Sequence, residues 1–590
     1  MSGSVANTLW ARALVDELAR AGLRDVVIAP GSRSTPLVLA VADDARLRAR
    51  VHLDERSAAF FALGVGKASG RPAAVVTTSG TAVANLLPAV VEASQSGVPL
   101  LLLTADRPPR LRGADANQAI DQVGIFGPYA RAFHELAPPT AEGPALRHLR
   151  GVASRAYRSA IGPDAGPVHI NAPFDKPLEP AEPDASFLAE HPLAATGRPD
   201  GAPFTRVIVG RSVLSDAELD ELIASMDATR GVIVAGPSER GWDVGPSILR
   251  LAAATGIPVL ADPLSGARCG STPGASIVST YDLFLRDEEV RAGLAPTVVL
   301  RVGSSPTSAA LQRWLLHHDG VEQIVLSAGG RWKDHGATAT RYLTADEPDT
   351  LDRLAERWSP QGSVDAEWRG RWERAELAAR AVIERATADG VAPEEAVLAR
   401  QVVEAATVDG GLFVSSSMPI RDVDAFGGIR EMPVPVFANR GASGIDGVVS
   451  SSFGVASALG ATTVCVIGDV AFFHDQNGLL WSREADARVV FVVVDNDGGG
   501  IFQMLPISDH EPHFTRFFAT PHAIDPRHAA EAHGLSYEEV DVDVLASSLA
   551  EALSAERSAV LRVRTDRVTE QRRRTDLATA VARSVRQVLG

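Results

Sequence analysis

Short apolar runs alternate with amphipathic stretches along the whole chain, the pattern of parallel sheets whose crossovers are helices. In the first third, a helix predicted over Asn7 to Ala21 leads into a strand at Asp25 to Ile28, with further strands at Ala73 to Thr77 and Leu100 to Thr104. The Pro- and acid-rich stretch Pro177 to Pro199 reads as a linker. A second series begins near Phe204, with strands at Gly231 to Ala235, Pro258 to Ala261, Thr297 to Val302 and Gln323 to Ser327. The polar, tryptophan-bearing stretch Glu356 to Trp372 separates it from a third series. That series starts near Ala392, with strands at Leu412 to Ser415, Val434 to Phe437, Thr463 to Ile467, Val489 to Val494 and Ala559 to Val563. The expected fold class is α/β, with three doubly wound parallel-sheet domains over residues 1–185, 200–355 and 390–590. The first and third series share a strand, loop and helix style that suits two related domains.

Length agrees with that division, because 590 residues exceed what one hydrophobic core serves, and a prior of roughly 150 residues per domain gives three or four packing units. Charge narrows the function: 73 acids against 57 bases leave a formal charge of −16, which disfavours a generic electrostatic hold on nucleic acid or an anionic membrane. Any anion site must be local. Cys269 and Cys465 lie far apart without a partner motif, so neither a disulfide framework nor a zinc cluster is expected. Met1 to Trp10 lacks the basic and apolar segments of a signal peptide, and apolar runs such as Val98 to Leu103 are too short to span a bilayer, so the expected location is cytoplasmic.

The sharpest local chemistry is Gly468-Asp469 at the end of one predicted strand, followed by Asp495-Asn496-Asp497-Gly498 at the end of the next. In a parallel sheet ligands gather beyond the carboxyl ends of strands, so Asp469 and Asn496, 27 positions apart, would project into one crevice. The Asp469 carboxylate, the Asn496 amide oxygen and the Gly498 carbonyl form a hard oxygen set suited to Mg²⁺, with Mn²⁺ as a substitute. Gly498, Gly499 and Gly500 would permit close backbone approach to a phosphate. The alternative is a strand-end Asp capping a helix, followed by an Asx-Gly turn. In the first domain, Val51 to Glu55 reads as a short strand ending in acid ahead of an apolar helix. Taken alone, Glu55 is a first-turn helix residue favoured by the macrodipole.

Gly468-Asp469 and Asn496 resemble the thiamine-diphosphate signature, Gly-Asp-Gly followed at a fixed gap by paired Asn. Val470 replaces its third residue and Asp495 its first Asn; neither change removes a proposed ligand. Thr77 to Ala82 with Asn85, and Leu103 to Pro108, resemble the pyrimidine-binding domain of the same enzymes. That resemblance implies that Glu55 activates the coenzyme from an apolar pocket favouring its protonated or strongly hydrogen-bonded state. It also implies that Thr81, Gly468, Gly499, Gly500 and Ile501 contact the coenzyme and that Ile445 holds its bent shape.

More specifically, Ala29-Pro30-Gly31-Ser32-Arg33-Ser34-Thr35-Pro36, Leu103 to Pro109 with Ala116 to Ile120, and Asn439 to Gly447 resemble the 2-succinyl-5-enolpyruvyl-6-hydroxy-3-cyclohexene-1-carboxylate synthase family of menaquinone biosynthesis. The resemblance implies a transferase that condenses 2-oxoglutarate with isochorismate and releases CO₂. Both substrates are dicarboxylates, and Arg offers a planar fork matched to carboxylate. The matching strings supply Arg421 and Arg440 for the succinyl portion, and Arg33 and Arg107 for isochorismate. Ser32, Asn117, Gln118 and Ser417 add directional hydrogen bonds. Ile501, Phe502 and Leu505 line an apolar wall, or alternatively serve the core. Glu55, Gln118, Arg33 and Arg107 form the implied catalytic set. Any one of these arginines, read alone, is equally a solvated surface residue.

The implied assembly is a homodimer or homotetramer in which the coenzyme spans the first domain of one chain and the third of another. The middle domain lacks a Gly-x-Gly-x-x-Gly motif and is expected to be structural, without flavin. Some family members carry a Lys beyond Gly303-Ser304-Ser305, where this chain has Ala309. Rival readings are another thiamine carboligase or decarboxylase, or a scaffold that has kept the fold without the coenzyme. The pair His317-His318 falls in the middle domain, as a solvated helix end, which disfavours the His-pair decarboxylases.

Overall fold

A computed structural model describes residues 3–227, 230–238, 241–329, 331–358, 366–555 and 557–590. It contains three six-stranded parallel sheets. The first consists of β1 (Asp25–Ile28), β2 (Arg48–Val51), β3 (Ala73–Thr77), β4 (Leu100–Asp106), β5 (Ala132–Glu135) and β6 (Pro167–Pro173), in the order β2-β1-β3-β4-β6-β5. The second holds β7 (Gly231–Ala235), β8 (Val259–Ala261), β9 (Ile277–Val278), β10 (Val298–Val302), β11 (Glu322–Leu326) and β12 (Arg341–Leu343), ordered β12-β11-β10-β7-β8-β9. The third holds β13 (Leu412–Val414), β14 (Val436–Phe437), β15 (Thr463–Gly468), β16 (Val489–Asp495), β17 (Ser536–Glu539) and β18 (Ala559–Arg564), ordered β14-β13-β15-β16-β18-β17. The first and third orders are the same permutation, so the shared style read from the sequence is a shared topology.

The central strands explain why the apolar runs were legible. Every residue of β3, β4, β6 and β16 is buried. A parallel strand covered by helices on both faces carries side chains of one character on either side, and it reads as an unbroken run. Most strand ends moved by one or two residues against expectation, the strand expected over Val51 to Glu55 lies instead at Arg48–Val51, and β5, β6, β9, β12 and β17 were not anticipated as sheet members. In β2, three of four residues are exposed.

The chain divides into two compact units. One comprises the residues up to Gly210 with Arg440–Leu459 and Asn477–Arg483; the other comprises Arg211–Asn439, Gly460–Gln476 and Glu484–Gly590. In the first unit the helices Glu55–Ser69 and Val448–Leu459 approach at glycine: a Cβ on Gly64 would lie 2.1 Å from the Ser451 carbonyl oxygen, and one on Gly454 would lie 2.1 Å from that of Phe61. Three stretches differ from expectation. Pro177 to Pro199 is no free linker, because Leu178, Phe187 and Ala194 are buried in the first core, and Arg150 Nε donates to the Ala194 carbonyl at 2.8 Å. Trp368 and Trp372 sit inside the core of the second unit near Trp314, with Trp368 Nε1 donating to the Gly231 carbonyl at 2.9 Å, so the end of the expected separator is core. Residues 359–365 of that separator lie outside the described residues. His318 is half-buried against Trp314, their ring centroids 5.1 Å apart, while His317 is exposed.

In the middle sheet the strand order reverses between β7 and β10, the position where doubly wound sheets take a nucleotide. Here the chain closes on itself: a Cβ on Gly236 would lie 1.8 Å from the Ser304 carbonyl oxygen.

Candidate active site

Glu55 is the first residue of the helix Glu55–Ser69, not the end of a strand; β2 stops at Val51. The helix starts there because Asp54 is its N-cap, accepting the backbone N–H of Arg56 at 2.9 Å and of Ser57 at 3.3 Å. Asp54 is itself fixed by Asn477 Nδ2 at 3.0 Å, and these bonds hold its carboxyl below the usual range against the opposing effect of burial. Trp481 stacks on Phe61 at 3.9 Å and on His52 at 4.5 Å, and its Nε1 donates to Ser57 Oγ at 3.0 Å. Glu55 is half-buried, and among the described residues its carboxylate has no hydrogen-bond or ion-pair partner. The helix start is thus held rigidly while the Glu55 carboxylate stays uncommitted.

A second cluster lies beyond β1, β3 and β4 in the same unit. Arg33 and Arg107 are both buried, Arg33 Nη1 donating to the Phe174 carbonyl at 2.7 Å and Arg107 donating to Ser79 Oγ. Burial, and then the charge of Arg107, lower the proton affinity of Arg33. Two desolvated guanidiniums this close favour an anion between them. Gln118 adopts φ 56°, in the left-handed region, and its Nε2 donates to the Ser79 carbonyl at 3.0 Å while Ser79 Oγ donates to the Gln118 carbonyl at 3.1 Å. Ser32, Asn117 and Thr81 are exposed, with Thr81 opening the short helix Thr81–Ala84.

Behind this cluster lies a residue that sequence reading passed over. Gln122 is fully buried, accepts the Gly80 N–H at 3.0 Å and donates to Asn171 Oδ1 at 2.9 Å. Asn171 Nδ2 then donates to Asp106 Oδ2 at 3.0 Å and Glu135 Oε2 at 2.8 Å. This network fixes the Ser79-Gly80 turn that Arg107 and Gln118 share. The only sequence sign was an isolated Gln in a polar loop.

The string around Arg440 is anchored by another residue that gave no signal. Glu92 is buried, and its carboxylate accepts the N–H groups of Gly441 at 3.0 Å and Ala442 at 2.7 Å, with Lys67 at 3.3 Å. Arg440 Nε is buried without a hydrogen-bond partner among the described residues, an unsatisfied donor that a carboxylate ligand would relieve. Ile445 is half-buried, in the loop leading to the helix Val448–Leu459. In the second unit, Ser417 caps the helix Met418–Phe426 with φ 73°, and its carbonyl accepts Arg421 Nη1.

At the ends of β15 and β16 the structure brings Asp469 to the loop that bears Asn496 and Gly498. Asp469 Oδ1 accepts the Val470 N–H at 2.7 Å, and Oδ2 accepts the Gly498 N–H at 2.8 Å. Burial pushes the Asp469 carboxyl up to about 6, opposed by those two N–H groups and reinforced by Asp495. Asn496 Oδ1 is buried and accepts no hydrogen bond among the described residues. An orphaned amide oxygen near a desolvated carboxylate fits a hard divalent cation, so the chemistry of the residues suits Mg²⁺ or Mn²⁺.

Two further groups come with it: one ligand atom each from Asp469, Asp495 and His522 lie within 4.8 Å of one another. His522 Nε2 is 3.2 Å from Asp469 Oδ2. Asp495 is bound by Arg562, with Nη2 at 2.6 Å and Nε at 2.7 Å, which explains how Asp stands where the signature has Asn. The three glycines are required by the protein's own packing as well. A Cβ on Gly498 would lie 2.0 Å from the Ala519 carbonyl oxygen, one on Gly499 2.6 Å from that of Phe518, and one on Gly500 2.6 Å from Asn496 Nδ2. All three N–H groups donate within the protein: Gly498 to Asp469, Gly499 to Ala519 and Gly500 to the Gly498 carbonyl. Ile501 and Phe502 are half-buried in the following turn, and Leu505 is 48% exposed, so none of the three belongs to the deep core.

Comparison with known proteins bears on this arrangement. Residues 10–125 match the N-terminal binding domain of thiamine pyrophosphate enzymes, residues 202–414 their middle domain and residues 436–563 their C-terminal binding domain. The chain is 44% identical over 585 residues to the 2-succinyl-5-enolpyruvyl-6-hydroxy-3-cyclohexene-1-carboxylate synthase of Halobacterium salinarum (strain ATCC 29341 / DSM 671 / R1), covering 98% of each chain. It is 43% identical over 587 residues to the protein of that name from Roseiflexus castenholzii, covering 97% of this chain and 98% of the relative. With that of Chloroflexus aurantiacus the identity is 43% over 537 residues, 90% and 89% of the two chains. Among the described residues, no helix is long and apolar enough to cross a membrane.

Proposed function

Because the chain belongs to the 2-succinyl-5-enolpyruvyl-6-hydroxy-3-cyclohexene-1-carboxylate synthase family of thiamine-diphosphate enzymes, we propose that it joins the succinyl part of 2-oxoglutarate to isochorismate with loss of CO₂. It is a thiamine-diphosphate-dependent synthase of menaquinone biosynthesis acting on small molecules. The observation that carries the substrate reading is the pair of buried guanidiniums, Arg33 and Arg107, together with the unsatisfied Nε of Arg440. Guanidinium groups held out of water in an acidic protein suit an anionic ligand.

The matching strings and the arrangement of their side chains support the following residue roles. Thiamine diphosphate, when bound, supplies the electron sink that lets 2-oxoglutarate lose its carboxylate. Glu55, uncommitted at a helix start, would hold the aminopyrimidine ring of the coenzyme and could give or take a proton there. Thr81 and Ile445 contact the coenzyme, and Gly468, Gly499, Gly500 and Ile501 frame its diphosphate. Asp469, Asn496 and the Gly498 carbonyl would hold Mg²⁺ or Mn²⁺.

Arg421 and Arg440, with Ser417, hold the succinyl carboxylates. Arg33 and Arg107, with Ser32, Asn117 and Gln118, hold and orient isochorismate, and Phe502 and Leu505 exclude water beside it. In the reaction the C1–C2 bond of 2-oxoglutarate breaks, its electron pair forms the new C–C bond, and the isochorismate ring takes up a proton. We assign residues 1–185, 200–355 and 390–590 to three domains, and a homodimer or homotetramer to the working enzyme.

Mass spectrometry of the products formed from both substrates, with thiamine diphosphate and Mg²⁺, tests this reading. The adduct with one equivalent of CO₂ is expected. Succinate semialdehyde as the sole product would make the protein a decarboxylase instead.

A further inference from the structure

The loop Asp495 to Gly498 turns sharply, with φ 58° at Asp497 and 131° at Gly498. A left-handed non-glycine residue costs roughly 1–2 kcal/mol and persists only where its surroundings over-determine it. Some of that restraint is local: Asp495 Oδ1 accepts the Asp497 N–H at 3.1 Å, and Asp497 Oδ1 accepts the N–H groups of His522 at 2.9 Å and Ala523 at 2.7 Å. The rest comes from two residues far away in sequence. Arg567, in the first turn of the helix Arg567–Leu589, donates from Nη1 to the carbonyls of both Asn496 and Asp497, each at 3.0 Å. Glu395, in the first turn of the helix Glu394–Ala405, accepts Asn496 Nδ2 at 3.4 Å.

Glu395 is buried and held from every side. Oε1 also accepts Thr565 Oγ1 at 3.0 Å, and Oε2 accepts Arg574 Nη2 at 2.6 Å. Its own backbone N–H donates to Glu570 Oε2 at 3.1 Å. A carboxylate so fixed can accept from the amide nitrogen of Asn496 but offers nothing to its oxygen, so Oδ1 faces away and stays unsatisfied. Both carbonyls next to the turn are meanwhile drawn toward Arg567. We propose that Glu395 and Arg567 are positioning residues that present Asn496 Oδ1 to the divalent cation, Glu395 by fixing the amide orientation and Arg567 by fixing the backbone of the loop. This rests on the assignment of Asn496 as a metal ligand.

Orienting partners of this kind typically change metal affinity by 10- to 100-fold when removed. Mn²⁺ binding to the full-length protein saturated with thiamine diphosphate, followed by the electron paramagnetic resonance of free Mn²⁺, provides the test. Glu395→Gln retains shape but can donate to Oδ1, which allows the amide to turn over; it is expected to raise the Mn²⁺ Kd about tenfold or more. Arg567→Ala should do the same, and Arg567→Lys should recover part of the loss. Thermal unfolding of the metal-free proteins shows whether the fold is kept. Should Arg567→Ala fail to fold, Arg567→Lys and Glu395→Gln decide the matter.

Asn496→Ala separates the two layers of the inference. If it abolishes Mn²⁺ binding while Glu395→Gln and Arg567→Lys stay within twofold of the parent, the positioning role is overturned. If Asn496→Ala itself binds Mn²⁺ normally, the ligand assignment beneath it is wrong.

Discussion

The backbone N–H of Gly498 donates to Asp469 Oδ2 at 2.8 Å, joining the loop after β16 to the first residue beyond β15. Since Oδ1 already receives the Val470 N–H, both carboxylate oxygens are engaged and fixed in direction. Asp469→Asn replaces one acceptor by a donor that faces an N–H group, at about 1–3 kcal/mol. It also removes a charged metal ligand. The expected result is a folded protein whose Mg²⁺-dependent affinity for thiamine diphosphate falls more than about 100-fold, beyond the loss of an outer partner. Titration of tryptophan fluorescence with the coenzyme, at fixed Mg²⁺, measures it.

The helix that begins at Glu55 is pinned where Gly64 meets Ser451. A methyl there would meet backbone rather than a movable side chain, so Gly64→Ala should destabilise by about 1–3 kcal/mol through overpacking. Because Glu55 rides on the same helix, kcat should fall by more than coenzyme affinity does. Urea unfolding and steady-state kinetics on one preparation give both numbers. A variant equal to the parent in stability would show that the helices separate easily.

His169 carries the pH prediction. It is buried beside Phe126 and Phe133 and bonded to Thr104 Oγ1 at 2.7 Å, and burial, then His134, push its pKa down to about 3. The unfolded histidine takes up a proton near pH 6.5, the folded one does not until about pH 3, so its contribution to stability is present above 6.5 and lost as pH falls between those values. His169→Gln should flatten that part of the stability profile. Urea midpoints collected from pH 7 to pH 4 test the slope.

Arg440 should discriminate between the substrates. Lys in its place keeps the charge but lacks the Nε donor that is buried and unsatisfied. The expected outcome is a rise of about tenfold in KM for 2-oxoglutarate, the order of one charge-assisted hydrogen bond, with a small change for isochorismate. A rise confined to isochorismate would exchange the roles of the two arginine pairs.

Much of this arrangement was legible in the sequence, for reasons that also explain what was missed. Strands such as β16, Val489–Asp495, are buried throughout, so their composition alone marks them. The Gly468-Asp469 and Asn496 to Gly500 strings announced themselves because tight turns and hard-oxygen donors restrict residue choice. Gln122, Glu92 and His522 were silent: each acts through contacts distant in sequence, and a single polar residue leaves no periodicity to read. Pro177 to Pro199 misled because its composition is that of a linker, whereas three spaced apolar residues, Leu178, Phe187 and Ala194, are enough to dock it. The match of Asp495 with Arg562 on the neighbouring strand could be found only once β16 and β18 were known to pair.

The assignment of Glu55 is tested most directly by the exchange of the C2 proton of bound thiamine diphosphate, read by rapid-quench proton NMR in deuterated buffer. With Mg²⁺ and coenzyme saturating, Glu55→Gln should keep the coenzyme bound while the exchange rate drops at least about 100-fold, the scale of a lost general acid–base partner. Exchange as fast in Glu55→Gln as in the parent, with the coenzyme equally bound, would contradict the assignment.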